Sequence, residues 1–186
     1  MVEMKERETY PVVMAGIKRD LGLFEVAPGL RIALLNILGD TELVKACAAA
    51  LAEKTSSIPY DVVVTAETKS IPLAYEFSVQ TKKPYVVLRK SYKFYMGEAI
   101  KAETNSITTG APQTLFLDEK DYQLMKGKKV LILDDVISTG STLEGMRSII
   151  EQAGAEIAGE AAICTEGDKA QWNGIISLAH LPLFKS

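Results

Sequence analysis

Apolar and polar positions along this chain group into short blocks that predict alternating strands and helices. RIALLNIL at 31–38 is apolar with partial alternation and predicts a strand ending at Gly39. Asp40 or Thr41 then suits a cap for a helix running to about Lys54. Leu43, Cys47, Ala50 and Leu51 recur there at helical spacing. The alanines around them widen that face, so this helix is expected to be covered on more than one side. DVVVT at 61–65 is a short apolar run of the kind found in strands buried on both faces. Pro72 suits the first turn of a helix carrying Leu73, Ala74 and Phe77.

PYVVLRK (84–90) and KKVLILDD (128–135) predict two further strands, the second entered through a turn at Gly127. A helix is expected from about Ser141 to Ala153, closed by Gly154, and EIAGEAAIC (156–164) and IISL (175–178) supply later strands. Strands alternating with helices at this spacing predict an α/β fold with a doubly wound, mainly parallel sheet. All 186 residues fit one domain. The stretch from Ser91 to Gln113 is long, polar and poorly periodic, with Gly97 and then TTGAP at 108–112. It predicts a mobile functional loop over about 91–113.

Apolar residues make up 47% of the chain and charged residues 24%, which marks a folded rather than a disordered protein. The net charge of −3 and the scatter of basic residues argue against a nucleic-acid surface. A bound anion must therefore be held by a local site. MVEMKERETY lacks the apolar core of a signal peptide, and ACAAALA at 46–52 falls far short of the roughly 20 residues that span a bilayer. No membrane partner is expected. Cys47 and Cys164 form no C-x-x-C pair and read as buried thiols of a reducing cytoplasm. The single His180 excludes a histidine-rich zinc site and reads as a surface or strand-end residue.

The chemistry concentrates in VLILDDVISTGST, residues 130–142. Ligands of parallel α/β sheets sit beyond the carboxyl ends of the strands, where Asp134 and Asp135 fall. Ser138, Thr139, Gly140, Ser141 and Thr142 then open the next helix, whose unpaired N–H groups and dipole suit a phosphate. Two carboxylates touching that phosphate would repel it. They make sense as acceptors for a vicinal diol and as partners of a hard cation such as Mg²⁺. A sugar phosphate meets both needs. The string contains neither G-x-x-x-x-G-K-[ST] nor G-x-G-x-x-G, which excludes the common nucleotide loops.

This string resembles the phosphoribosyl pyrophosphate (PRPP) signature of type I phosphoribosyltransferases, and the likeness extends over about residues 30–165. Within that family it is most similar to the adenine enzymes and their relatives, through RK-x-x-K at 89–93 and the long loop ahead of the signature. The resemblance implies that Asp134 and Asp135 hold the ribose hydroxyls and act in catalysis, and that residues 138–142 wrap the 5′-phosphate. It implies that Glu67, Thr68, Lys69 and Ser70 form the pyrophosphate loop, although Ser70 stands where relatives often have glycine. Such loops in the family sometimes contain a cis non-proline peptide. Arg89, Lys90 and Lys93 are implied pyrophosphate contacts, the last group reaching across a homodimer interface. Mg²⁺ is the implied cofactor, bound through substrate oxygens rather than a protein cage. Glu98 and Glu103 are the acid/base candidates of the loop.

A small hood from about 1–38 and 165–186 is expected to cover a purine, with Phe24, Leu30 and Trp172 as candidate base contacts. Adenine is the favoured base. Lys169 and Gln171 would instead suit hypoxanthine, guanine or xanthine, because a 6-oxo purine needs a donor. Two rival classes remain open. One is a PRPP-sensing regulator without catalysis, against which stands the near balance of charge over the first 57 residues. The other is a sugar-phosphate-binding α/β protein of unrelated chemistry.

Overall fold

The computed structural model describes residues 7–105 and 112–185. The chain opens with an antiparallel meander of β1 (Thr9–Met14), β2 (Ile17–Ala27) and β3 (Leu30–Ala33). α1 (Thr41–Lys54), β4 (Val62–Ala66), α2 (Ile71–Thr81) and β5 (Tyr85–Leu88) follow. A single 3-10 turn at Phe94–Met96 leads to β6 (Ile100–Asn105) and β7 (Pro112–Leu117). Next come α3 (Glu119–Met125), β8 (Lys129–Ile137), α4 (Ser141–Gln152) and β9 (Glu156–Glu166). A short turn at Lys169–Trp172, β10 (Ile176–Leu181) and β11 (Leu183–Lys185) complete it.

Five strands form the central parallel sheet in the order β10-β9-β8-β4-β5. β4 is buried at all five positions, as its unbroken apolar run requires of an inner strand. One core packs α1, α2 and the meander on one face, around Leu43, Leu51, Leu73 and Phe77. The other face packs α4 and the β6–β7 ribbon around Leu115, Leu117, Met146 and Ile149. Each fully buried side chain of this size contributes about 1.5–3 kcal/mol over an exposed one. Asp40 caps α1 by accepting from the Leu43 N–H at 3.2 Å, and Arg19 pairs with it at 2.7 Å. Thus the helix start is tied to the meander.

Three sequence expectations are corrected here. The strand expected over 31–38 stops at Ala33 and pairs antiparallel with β2 and β11, outside the parallel sheet. The loop expected over 91–113 holds regular structure: β6 pairs antiparallel with β7, and Arg89 bridges to Phe116. SITTG at 106–110 falls outside the described residues, as does the charged start of the chain. The strand expected over 175–178 runs on to Leu181, which places His180 within it. Among the described residues no helix is long and apolar enough to cross a membrane.

Candidate active site

The carboxyl ends of β4, β8 and β9 open into one cleft of about 320 Å³, within the size range of small-molecule sites. The end of β8 contributes Asp134 and Asp135. Both are almost fully buried. The Asp135 N–H donates to Asp134 Oδ1 at 2.9 Å. Burial pushes the Asp134 carboxyl well above the usual range, and the adjacent Asp135 pushes it further. Asp135 Oδ2 lies 3.2 Å from Lys69 Nζ, yet the ammonium is out of line and the oxygen has no hydrogen-bond partner. A buried acceptor left open toward a cleft suits a ligand hydroxyl or a cation.

The turn from β8 into α4 follows the requirements of a helix start. Gly140 caps α4 at φ +82°, a left-handed conformation that a side chain disfavours. Ser138 and Thr142 line the cleft, with Thr139, Gly140 and Ser141 between them. The Thr139 and Ser141 hydroxyls lie 3.2 Å apart, and Thr142 Oγ1 donates to Gln113 Oε1 at 3.2 Å. The turn is therefore linked to the β6–β7 ribbon as well as to the sheet.

At the end of β4, Glu67, Thr68, Lys69 and Ser70 form the opposite wall, and the Glu67–Thr68 peptide is cis. The Glu67 carboxylate accepts from Arg89 Nε at 3.0 Å and from the Lys90 N–H at 2.9 Å. It is thus a brace for the basic strand end rather than a free charge. Lys69 Nζ donates to the Leu35 carbonyl at 3.1 Å, and Ser70 Oγ donates to the Ala66 carbonyl at 2.8 Å. Lys90 lines the cleft, whereas Arg89 does not and pairs with the wall residue Glu67.

Other expected residues lie elsewhere. Lys93 is exposed at the start of the 3-10 turn. The Glu98 N–H donates to Glu119, Glu103 pairs with Lys101, and neither residue lines the cleft. Phe24 stacks under the Arg7 guanidinium at 3.9 Å, and Leu30 pairs with Lys185 in the meander. Trp172 donates its indole N–H to the Glu166 carbonyl at 2.8 Å and packs its ring over Gly140. The apolar wall of the cleft is instead Ile32, Ala33, Leu34 and Leu35, and its remaining acid is Glu166. Glu166 ends an apolar run at the tip of a parallel strand, the same signal that marks Asp134 and Asp135.

Among the described residues no three His, Cys, Asp or Glu side chains converge as a metal cage. Asp134 and Asp135, with one buried oxygen left open, suit shared contact with a hard cation that brings its other ligands with it.

A five-stranded parallel sheet with a paired-acid strand end, a hydroxyl turn and a small antiparallel cover is the architecture of the type I phosphoribosyltransferase fold. The family described as phosphoribosyl transferase domain matches residues 35–172, and the chain belongs to it. The hypoxanthine/guanine phosphoribosyltransferase of Methanococcus voltae is 39% identical over 108 residues, covering 58% of this chain and 54% of that protein. The purine biosynthesis transcriptional repressor PurR of Bacillus subtilis is 31% identical over 134 residues, 72% of this chain and 46% of that one. The chain thus spans about half the length of these curated relatives. Adenine phosphoribosyltransferase from Thermoanaerobacter pseudethanolicus superposes with a TM-score of 0.65 at 18% identity, covering 93% of this chain and 95% of that one. The Saccharomyces cerevisiae enzyme, solved with an imino-altritol bisphosphate and adenine, gives 0.64 at 19%, covering 92% and 94%. At these identities the likeness is one of fold.

Proposed function

We propose that this chain is a purine phosphoribosyltransferase that moves the 5-phosphoribosyl group from PRPP to adenine, forming AMP and releasing pyrophosphate. The observation that carries this reading is the convergence of three elements on one cleft: the paired acids of β8, the hydroxyl turn of α4 and the Lys69 loop of β4. Their chemistry matches a ribose diol, a 5′-phosphate and a pyrophosphate in turn. Adenine is supported by the position of Lys169 and Gln171, the donors that would suit a 6-oxo base. Both are exposed on the short turn and neither lines the cleft.

The purine nitrogen attacks C1 of the ribose as the C1–O bond to pyrophosphate breaks, and the configuration at C1 inverts. Asp134 and Asp135 fix the diol and oppose the positive charge that develops at C1. Lys69 and Lys90 receive the departing pyrophosphate, with Glu67 bracing the backbone that carries Lys90. Mg²⁺ carried on the substrate oxygens would neutralise the leaving group, with Asp134 and Asp135 as its protein neighbours. The meander and β11 act as the hood over the base. Two copies of the chain would pair through the segment around Lys93, where Tyr92 and Tyr95 are largely exposed and Phe94 is 91% exposed.

A second reading, a PRPP-binding regulator without turnover, is supported by the identity with PurR. One experiment separates the two. PRPP and Mg²⁺ are offered with adenine, hypoxanthine, guanine or xanthine, and nucleotide and pyrophosphate are followed by chromatography. Turnover of adenine, lost in the Asp134→Asn/Asp135→Asn variant, is expected. Tight PRPP binding with no turnover of any base would sink the transferase reading and favour the regulator.

A further inference from the structure

Glu166 ends β9 on the side of the paired acids opposite the Lys69 loop, because β9 and β4 flank β8. That placement has a chemical meaning, resting on the transferase reading above. Inversion at C1 brings the base in on the face opposite the leaving group. With pyrophosphate over the end of β4, the base lies toward the end of β9. The cleft offers the apolar stretch from Ile32 to Leu35, tied at Leu35 to Lys69, for the ring faces, and Glu166 at the end of β9 for a polar edge.

The Glu166 side chain is 7% exposed and lines the cleft. Its backbone is pinned on both sides. Trp172 Nε1 donates to the Glu166 carbonyl at 2.8 Å, and His180 Nε2 lies 3.1 Å from the Gly167 carbonyl. The Thr165 hydroxyl sits 3.0 Å from the other ring nitrogen of His180, which leaves Nε2 as the donor to Gly167. A carboxyl at the cleft wall, carried on a backbone held from both sides, is placed to meet a ligand.

We propose that Glu166 is a specificity-determining residue: it accepts a hydrogen bond from the exocyclic amine of the purine, so the site selects amino purines over 6-oxo purines that lack one. A carbonyl at the same position would face carboxyl oxygens with nothing to donate. Burial also raises the Glu166 carboxyl above the usual range, against the opposing charge of Lys69.

Glu166→Gln tests this, because the amide keeps the shape but serves amino and oxo edges equally. Wild-type kcat/KM is expected to favour adenine over hypoxanthine by about tenfold or more, the usual discrimination of a paired hydrogen-bond contact to a base edge. Glu166→Gln is expected to remove most of that preference through the KM of the base, with the PRPP Kd from calorimetry unchanged. Glu166→Ala should lose adenine selectivity as well, which guards against a defect peculiar to the amide. An unaltered adenine-to-hypoxanthine ratio in both variants overturns the proposal, as does a wild-type preference for hypoxanthine or xanthine. If wild type binds PRPP yet turns over no base, the transferase reading fails by itself. AMP and IMP binding then decides: a preference for AMP erased by Glu166→Gln upholds the role of Glu166, and equal binding overturns it.

Discussion

Gly140→Ala probes the phosphate turn at its tightest point. Gly140 sits at φ +82°, and a Cβ built there would lie 3.1 Å from Cη2 and 3.6 Å from Cζ3 of Trp172. The left-handed conformation alone costs an alanine about 1–2 kcal/mol. The contact adds to this, since the indole must retreat by a few tenths of an ångström while holding its 2.8 Å bond to Glu166. In a chain of this size each kcal/mol lowers Tm by about 2–4 °C, so a fall of roughly 2–8 °C is expected. PRPP affinity should drop by about fivefold or more, because the first-turn amides of α4 shift with Gly140. Differential scanning fluorimetry and calorimetry with PRPP read the two effects. Trp172→Phe removes the crowding ring edge, so in the double variant only the backbone strain should remain. A Gly140→Ala protein with wild-type Tm and PRPP Kd would refute the reasoning, and strictly additive losses would refute the Trp172 contact.

Asp134→Asn should abolish turnover while stabilising the free protein at alkaline pH. The folded Asp134 carboxyl titrates above its unfolded value of about 3.9, so wild-type stability declines as pH rises through the folded value. Asparagine escapes that decline and keeps the acceptor for the Asp135 N–H. The Tm difference should therefore grow from pH 4 upward, and a lower Tm for the variant at pH 8 contradicts the burial argument. Asp40→Ala removes the α1 cap and should cost about 1 kcal/mol by denaturant titration. Arg19 holds the Asp40 carboxyl below the usual range, so this deficit is full above about pH 4 and vanishes as pH falls below it. Cys47 and Cys164 are fully buried, and burial pushes both thiols up to about 12. A thiol reagent should label neither in the native protein and both in denaturant; rapid native labelling would show that one of these cores opens.

The parallel sheet, α1, α2 and α4 were legible because their apolar periods are long and unambiguous. The paired acids and the turn after them were legible because position at a strand end gives such residues a chemical meaning. The β1–β2 hairpin was not. Its Ala15-Gly16 turn takes φ of 51° and 79° without the Asn-Gly or Asp-Gly pair that announces such turns. Lys18, Arg19 and Asp20 also interrupt the alternation of β2. The β6–β7 ribbon was hidden for a related reason: it buries few side chains, chiefly Ala102, Leu115 and Leu117, and the rest of the segment is polar. The sequence could not show the partner of Phe24, because aromatic residues serve equally for stacking on a ligand and for stacking under a cation such as Arg7. Glu166 was passed over because a single acid after AAICT has no motif around it; its meaning comes from β8 and β4 lying beside it in that order.

The pairing of β11 with β3 also bears on how the chain folds. These two strands come from opposite ends of the described chain, and Ile32 of β3 is part of the cleft wall. Contacts between such distant segments carry the largest loop-closure entropy and form late unless intervening structure first brings the segments together. Here the central sheet must do so. During synthesis the ends of β4, β8 and β9 can take shape while the chain is still growing, whereas β3 gains its second neighbour only with β11. The molecule would pass through a state with the sheet side of the cleft in place before the β3 wall is fixed.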